Sequence, residues 1–251
     1  MMTGLITVLT DFGTQDGYVG AMKGVLLSEL PSARIVDLTH QIAPQDVMAG
    51  AFALAQAVPY FPSGTVHLAV VDPGVGSKRR ALIIEAAGSL FVGPDNGLFS
   101  LAAAGRAWSI DQIPVEWGIH PTFHGRDLFA RVAARIAGGA AVAQFATEQV
   151  LPHRIVLPEV AEVDSHLVGE VIQIDRFGNL ITNLSGERVA DAPVEIGSLR
   201  IPFVRTFADV PSGQLLAFIG SAGYLEIAVR EGSAAARLEL QRGAKVSARS
   251  V

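Results

Sequence analysis

The amino-acid sequence predicts an α/β protein in two parts. Residues 1–160 would form a three-layer domain with a largely parallel central sheet, and residues 161–251 a smaller, β-barrel-like domain. Three observations lead there. For the first two thirds of the chain, short apolar runs alternate with helix-length stretches, the pattern of a parallel sheet covered on both faces. After about residue 160 the chain changes to short β runs punctuated by Gly, Asn, Asp and Pro. Finally, 251 residues exceed the usual single-domain size, and 50% apolar residues can fill more than one core.

In chain order, Leu5–Thr10 is a continuous apolar strand that ends in Asp11. Val19–Leu30 has apolar residues at spacings of three and four, so it reads as a helix, and Pro31 stops it. Arg34–Leu38 follows as a strand, Gln45–Val58 as an alanine-rich helix, and Thr65–Val71 as a third strand. Ala81–Ala86 and Leu90–Val92 supply two more, ahead of the turn Gly93-Pro94-Asp95-Asn96-Gly97. Leu128–Ile136 begins another helix, and Gln149–Glu162, with Pro152 and Pro158, is the expected linker. Beyond it, Leu167–Asp175, Asn179–Asn183, Pro193–Ile196, Leu199–Val204, Leu215–Ile219, Leu225–Val229 and Val246–Arg249 read as strands.

Composition excludes several function classes. A net charge of −5 without a block of Lys or Arg leaves no electrostatic footprint for nucleic acid. Zero cysteines exclude thiolate catalysis, disulfides and Cys-based metal sites, and suit a cytoplasmic setting. The start, MMTGLITVLTDFG, lacks a basic leader and meets Asp11 after a short apolar run, so it is a strand rather than a membrane segment. Mean hydropathy of +0.39 at only 17% charged residues predicts that part of the apolar surplus covers a subunit interface.

Four constellations carry candidate chemistry. Asp11 closes a buried strand before Gly13, where a bidentate acceptor suits a ribose diol, and where it would equally cap the next helix. In Val70–Arg80, VVDPGVGSKRR, a strand ends on Asp72 and a Pro/Gly turn lets Arg79 fold back towards it, as a site or as a solvated ion pair. His124 lies in Thr122-Phe123-His124-Gly125-Arg126-Asp127, a loop that precedes a helix and can aim the imidazole into a cleft. Asp175 and Asn179 flank a Gly-containing bend, which suits either a plain hairpin or a grip on an amino acid, carboxylate to ammonium and amide to carboxylate.

These segments and two others resemble a known family. TDFG at 10–13, VDPGVGSKRR at 71–80, GPDNG at 93–97, TFHGRD at 122–127, IDRFGN at 174–179 and GSAGYLEIAV at 220–229 are similar to the S-adenosyl-L-methionine hydrolases, or SAM hydroxide adenosyltransferases, relatives of the fluorinases and chlorinases. The likeness runs in order from residue 5 to about 235. It implies an α/β domain followed by a β-barrel, and a homotrimer that binds S-adenosyl-L-methionine between the first domain of one subunit and the second domain of the next. Asp72, Arg79 and His124 match the family's Asp-Arg-His triad, which would direct water at ribose C5′ and release adenosine and L-methionine. The resemblance further implies that Asp11 takes the ribose, Asp175, Asn179 and Ser221 the methionine moiety, and the backbone at Val229 and Glu231 the adenine edge. Phe123, Phe177 and Phe207 would stack or pack, and Glu226 joins the substrate-binding set.

No cofactor is expected, S-adenosyl-L-methionine being the substrate, and because a sulfonium already leaves as a neutral thioether, no general acid is required at sulfur. The halogenases look to carry a tyrosine at Asp72 and a Tyr-Ser pair at His124-Gly125, and a carboxylate at Asp72 would repel a halide. Ala222, where the fluorinase has arginine, and Arg230, where asparagine is frequent, depart from the pattern. Two rival classes stand beside this reading: a non-catalytic adenosine or S-adenosylmethionine binder, and a metal-dependent hydrolase built on Asp11, Asp16, Asp72, His124 and Asp127. Against the latter, no HxH, HExxH or DxD spacing occurs and Arg79 would oppose a cation.

Overall fold

A computed structural model describes residues 4–251. The chain falls into two compact units, dividing between Ile155 and Val156. Val156–Val160, at the end of the expected first domain, go with the second, because Val160 packs against its core and the Pro158 carbonyl accepts from Asn183.

The first unit runs β1 (Leu5–Thr10), α1 (Tyr18–Glu29), β2 (Arg34–Thr39), α2 (Val47–Ala57), β3 (Val66–Val70), β4 (Ala81–Ala86), β5 (Ser89–Pro94), β6 (Arg106–Ser109), α3 (Ala130–Ala137) and β7 (Glu148–Val150). Its seven strands lie in the order β2-β1-β3-β5-β4-β6-β7. The β2, β1, β3, β5 half is parallel, whereas β4 pairs antiparallel with β5 and β6, and β6 with β7. Every residue of β1 and β3 is buried, the burial expected of strands covered on both faces. Met22 and Leu26 of α1 and Val132 and Ile136 of α3 fill one face of the sheet, and Leu54 of α2 the other.

That topology locates a crevice. From β1 the chain steps outward to β2, then returns past β1 to β3, so successive connections leave in opposite directions. At such a switch point the loops beyond the strand ends part, and ligands bind there. Asp11 follows β1 and Asp72 follows β3, on its two sides.

The second unit continues with β8 (Ala161–Val163), β9 (His166–Ile174), β10 (Leu180–Ser185), β11 (Val194–Ile196), β12 (Leu199–Ile201), β13 (Leu215–Ile219), β14 (Tyr224–Val229), α4 (Ala234–Leu238) and β15 (Lys245–Arg249). The path β12-β11-β15-β9-β10-β14-β13 is antiparallel, with β8 beside β9. Its ends nearly close on each other: the Ala217 N–H of β13 donates to the Pro202 carbonyl at 2.9 Å, and Val204 N–H donates to Ala217 at 2.8 Å. Leu167, Leu180, Leu184, Leu225 and Ile227 fill the barrel.

Several elements differ from the sequence reading. The expected linker overlaps β7 at its start and β8 at its end, and β6 and α4 were not anticipated. The second helix starts at Val47 because Asp46 caps it, its Oδ1 accepting from Ala49 N–H at 3.0 Å, while Gln45 sits at a φ of 68°.

Candidate active site

Asp72 leaves β3 into a turn that folds Arg79 back onto it. Val75 N–H donates to the Asp72 carbonyl at 3.3 Å and Ser77 N–H to the Gly74 carbonyl at 3.1 Å. Arg79 Nε then donates to Asp72 Oδ1 at 2.9 Å and Oδ2 at 3.1 Å, and Nη2 to Oδ2 at 2.5 Å. Both side chains are nearly buried, at 10% and 5% exposed, so the pair is well shielded from solvent. Gly76 is required twice over: its φ is 76°, and a Cβ there would lie 2.8 Å from the Pro121 carbonyl. The turn is thereby pressed against the loop that carries His124.

Arg79 Nη2 also donates to His124 Nδ1, at 2.9 Å. A guanidinium has five donors and no acceptor, so this bond requires a bare Nδ1 and leaves the imidazole proton on Nε2. Burial first, and then the charge of Arg79, hold His124 below the usual histidine range, with Asp72 and Asp127 opposing. His124 is therefore a neutral N–H donor at physiological pH. Asp127 is engaged elsewhere, accepting from Arg126 at 2.6 and 2.8 Å and from His120 N–H at 3.0 Å, which ties down the loop before His124. The Arg79 guanidinium completes the cluster 5.2 Å from the centre of the Phe129 ring.

Asp11 does not cap α1, whose N-cap is Gly17 without a side-chain bond. It accepts instead from Gln45 N–H at 2.8 Å, linking the loops that follow β1 and β2. Beside it, Phe123 packs edge-on against Phe12 and Tyr18, at centroid distances of 6.0 and 5.5 Å. With Thr122 these rings line a hollow of about 330 Å³. Phe12, which follows β1 within the TDFG segment, and Tyr18, the first residue of α1, are site residues that sequence reasoning did not single out, since an aromatic beside a buried strand or at a helix start looks like core.

In the second unit, one cavity of about 780 Å³ gathers all eight positions singled out there: Asp175, Phe177, Asn179, Phe207, Ser221, Glu226, Val229 and Glu231. Phe218, Gly220, Gly232 and Ser233 complete its wall. Asp175 accepts from the N–H groups of Phe177 and Asn179 at 2.9 and 2.8 Å and from Asn179 Nδ2 at 2.8 Å. Its carboxylate thus shapes the bend as well as facing the cavity. Phe207 meets Phe218 at 4.9 Å between centroids. The departure at Arg230 has a local explanation: its guanidinium donates to the Val210 carbonyl at 2.8 Å and so braces the loop bearing Phe207. Glu231, at a φ of 59°, accepts from Ser212 Oγ at 2.7 Å.

Among the described residues, no three His, Asp or Glu side chains gather in an arrangement that could hold a metal ion. Asp11, Asp72 and Asp127 are committed to an N–H group or a guanidinium as given above. Nor is any described helix long and apolar enough to cross a membrane.

Known proteins share this architecture. The chain is 43% identical to the (R)-S-adenosyl-L-methionine hydrolase of Salinispora tropica over 248 residues, 95% of each chain. It is 42% identical to the enzyme of that name from Thermus thermophilus, over 95% of this chain and 96% of the other. A fluorinase of Nocardia brasiliensis is more distant, at 28%. The crystal structure of an uncharacterized conserved protein from Thermotoga maritima superposes with a TM-score of 0.86 at 32% identity, covering 96% of this chain and 98% of that one. The sequence pattern of the SAM hydroxide adenosyltransferase N-terminal domain matches residues 6–146 and that of the C-terminal domain residues 169–247, so the chain belongs to the SAM hydroxide adenosyltransferase family.

Proposed function

We propose that this protein hydrolyses S-adenosyl-L-methionine to adenosine and L-methionine by in-line attack of water at ribose C5′. The observation that carries the reading is the Asp72–Arg79–His124 cluster, one buried carboxylate held by a guanidinium that also fixes an imidazole. The sulfonium leaves as a neutral thioether, so sulfur needs no acid and the reaction no cofactor. What the attacking oxygen needs is alignment and somewhere to put its proton.

The hydrogen bonds divide those tasks. Neutral His124, with Nδ1 taken by Arg79, offers Nε2–H to the water oxygen and leaves a water proton pointing elsewhere. Asp72 is the acceptor: it is a carboxylate, and Arg79 keeps it aimed. As the C–O bond forms, the oxygen becomes acidic and its proton passes to Asp72, then to solvent. Asp11 keeps one oxygen for a ribose hydroxyl while the other holds Gln45. Asp175, Asn179 and Ser221 would take the methionine moiety, main-chain groups at Val229 and Glu231 the adenine edge, and Phe123, Phe177 and Phe207 would stack or pack against the substrate.

The assembly proposed with this function is the homotrimer that the resemblance implies, in a cytoplasmic setting, and sedimentation velocity tests the trimer. Incubating the purified protein with S-adenosyl-L-methionine and separating the products by chromatography tests the reaction. Adenosine is expected, and a 5′-halo-adenosine in the presence of halide would overturn it. If substrate is bound but never consumed, the protein is a binder instead.

A further inference from the structure

The cavity of the second unit is lined by three carboxylates, Asp175, Glu226 and Glu231, together with three phenylalanines, and by no Lys or Arg. Such a lining suits an organic cation. Two of the acids are already occupied, Asp175 by its bend and Glu231 by Ser212. Glu226 is different. It lies in the middle of β14, only 9% exposed, and its cross-strand neighbours Ile181 and Phe218 are both apolar. Its Oε1 rests against Gly220, where a Cβ would come within 1.8 Å, so the absence of a side chain there is what makes room for the carboxyl.

The charges around Glu226 do nothing to stabilise its ionised form. Burial, and then the charge of Asp175, push its carboxyl up to about 7, and no hydrogen bond among the described residues opposes them. Arg230 and Arg237 are engaged elsewhere: Arg230 donates to the Val210 carbonyl and lies 3.7 Å from Glu231, and Arg237 of α4 donates to the Gly213 carbonyl, while Arg176, beside Asp175, is exposed and does not line the cavity. A nine-tenths-buried acid without a partner among the described residues, in a cavity of this lining, is a group waiting for a counter-ion.

We infer that Glu226 supplies that counter-charge only when ligand arrives, giving up its proton as a positively charged substrate binds and so making substrate affinity, rather than the chemical step, depend on pH. The inference rests on the proposed reading of S-adenosyl-L-methionine as substrate, which carries a sulfonium and an ammonium. With Glu226 protonated in the free protein below about pH 7, the apparent affinity for the cation falls about tenfold for each further pH unit.

Steady-state kinetics with S-adenosyl-L-methionine on either side of pH 7 test this. The wild type is expected to show KM rising as pH falls while kcat lacks that limb. Glu226→Gln flattens the KM profile and Glu226→Asp restores a limb. Calorimetry in buffers of different ionisation enthalpy adds a direct readout. Below pH 7, sinefungin, whose amine stands where the sulfonium stands, should release close to one proton per site from wild type and none from Glu226→Gln. S-adenosyl-L-homocysteine distinguishes the sources: release with it assigns the ammonium, and its absence assigns the sulfonium position. Equal proton release by adenosine, which has no cation, or an unchanged KM profile in Glu226→Gln, would overturn the inference. Failure of the wild type to consume S-adenosyl-L-methionine at any pH would instead sink the proposed function.

Discussion

Replacing Asp72 by Asn separates the two tasks of the Asp72–Arg79 pair. The side chains are 5% and 10% exposed and share three N–H···O contacts. Breaking a buried pair by neutralising one member strands the other charge, at a cost of about 3 to 5 kcal/mol. Asn keeps an acceptor oxygen for one guanidinium N–H, which places D72N at the lower end, about 3 kcal/mol. Its turnover should fall by about 10² to 10⁴, the usual contribution of a positioned base, while S-adenosyl-L-methionine binding changes little. The double variant D72N/R79M removes the stranded charge as well. It should recover most of the lost stability and none of the turnover. Urea unfolding and adenosine formation, measured on the same three proteins, give both quantities. If D72N keeps more than about a tenth of wild-type turnover, Asp72 is not the proton acceptor. If the double variant is no more stable than the single one, the stranded-charge argument is wrong.

The two units should respond to pH in opposite senses. His67 is fully buried and stacked on Phe91, and burial pushes its pKa from 6.5 down to about 4. The unfolded chain therefore takes up that proton first, so stability is complete above pH 6.5 and is lost towards pH 4, by up to about 3 kcal/mol. Both tryptophans, Trp108 and Trp117, lie in the first unit, so their fluorescence reads its acid unfolding, and His67→Leu should remove this slope. Glu226 works the other way: with its folded pKa raised to about 7, the folded state holds the proton longer and stability falls as pH rises from 4.5. Amide exchange in β10, β13 and β14 should accordingly slow in Glu226→Gln at pH 8. Gly220→Ala drives a methyl into Glu226 Oε1 and should raise KM at least tenfold with little change in kcat, by steady-state kinetics. Nitrogen-15 NMR should find His124 neutral and protonated on Nε2 at pH 6.5, and an imidazolium at that pH would contradict its role as donor.

Much of this was written locally in the chain. β1 and β4 have the ends their apolar runs predicted, because a glycine or a charge marks each limit: Gly4 and Asp11 flank β1, and Arg80 and the Ala87-Gly88 turn flank β4. All three strands that went unseen are short: Glu148–Val150 at one edge and Ala161–Val163 beside β9 are mostly exposed, and Arg106–Ser109, though inside the sheet, buries only Ala107 and so shows no apolar run. The five-residue α4 depends on a single Ser233 cap and packing on β14, neither of which leaves a periodic trace. In the site, Asp72 and Arg79 were legible together because a Pro/Gly turn returns the chain on itself. His124 could be singled out as a loop residue, but its tautomer follows only from meeting Arg79. The isolation of Glu226 was hidden for the same reason, since partners absent from three neighbouring strands leave no mark on a sequence.

The cluster's contacts differ greatly in the length of chain they close. Asp72 and Arg79 stand seven residues apart, whereas the bond from Arg79 to His124 spans 45. The short ring costs little entropy and can persist in a loosened molecule, while the long one depends on the turn at Gly76 staying seated on Pro121. Mild denaturant should consequently abolish catalysis before the sheet melts, leaving a folded, inert protein in which acid and guanidinium are still joined.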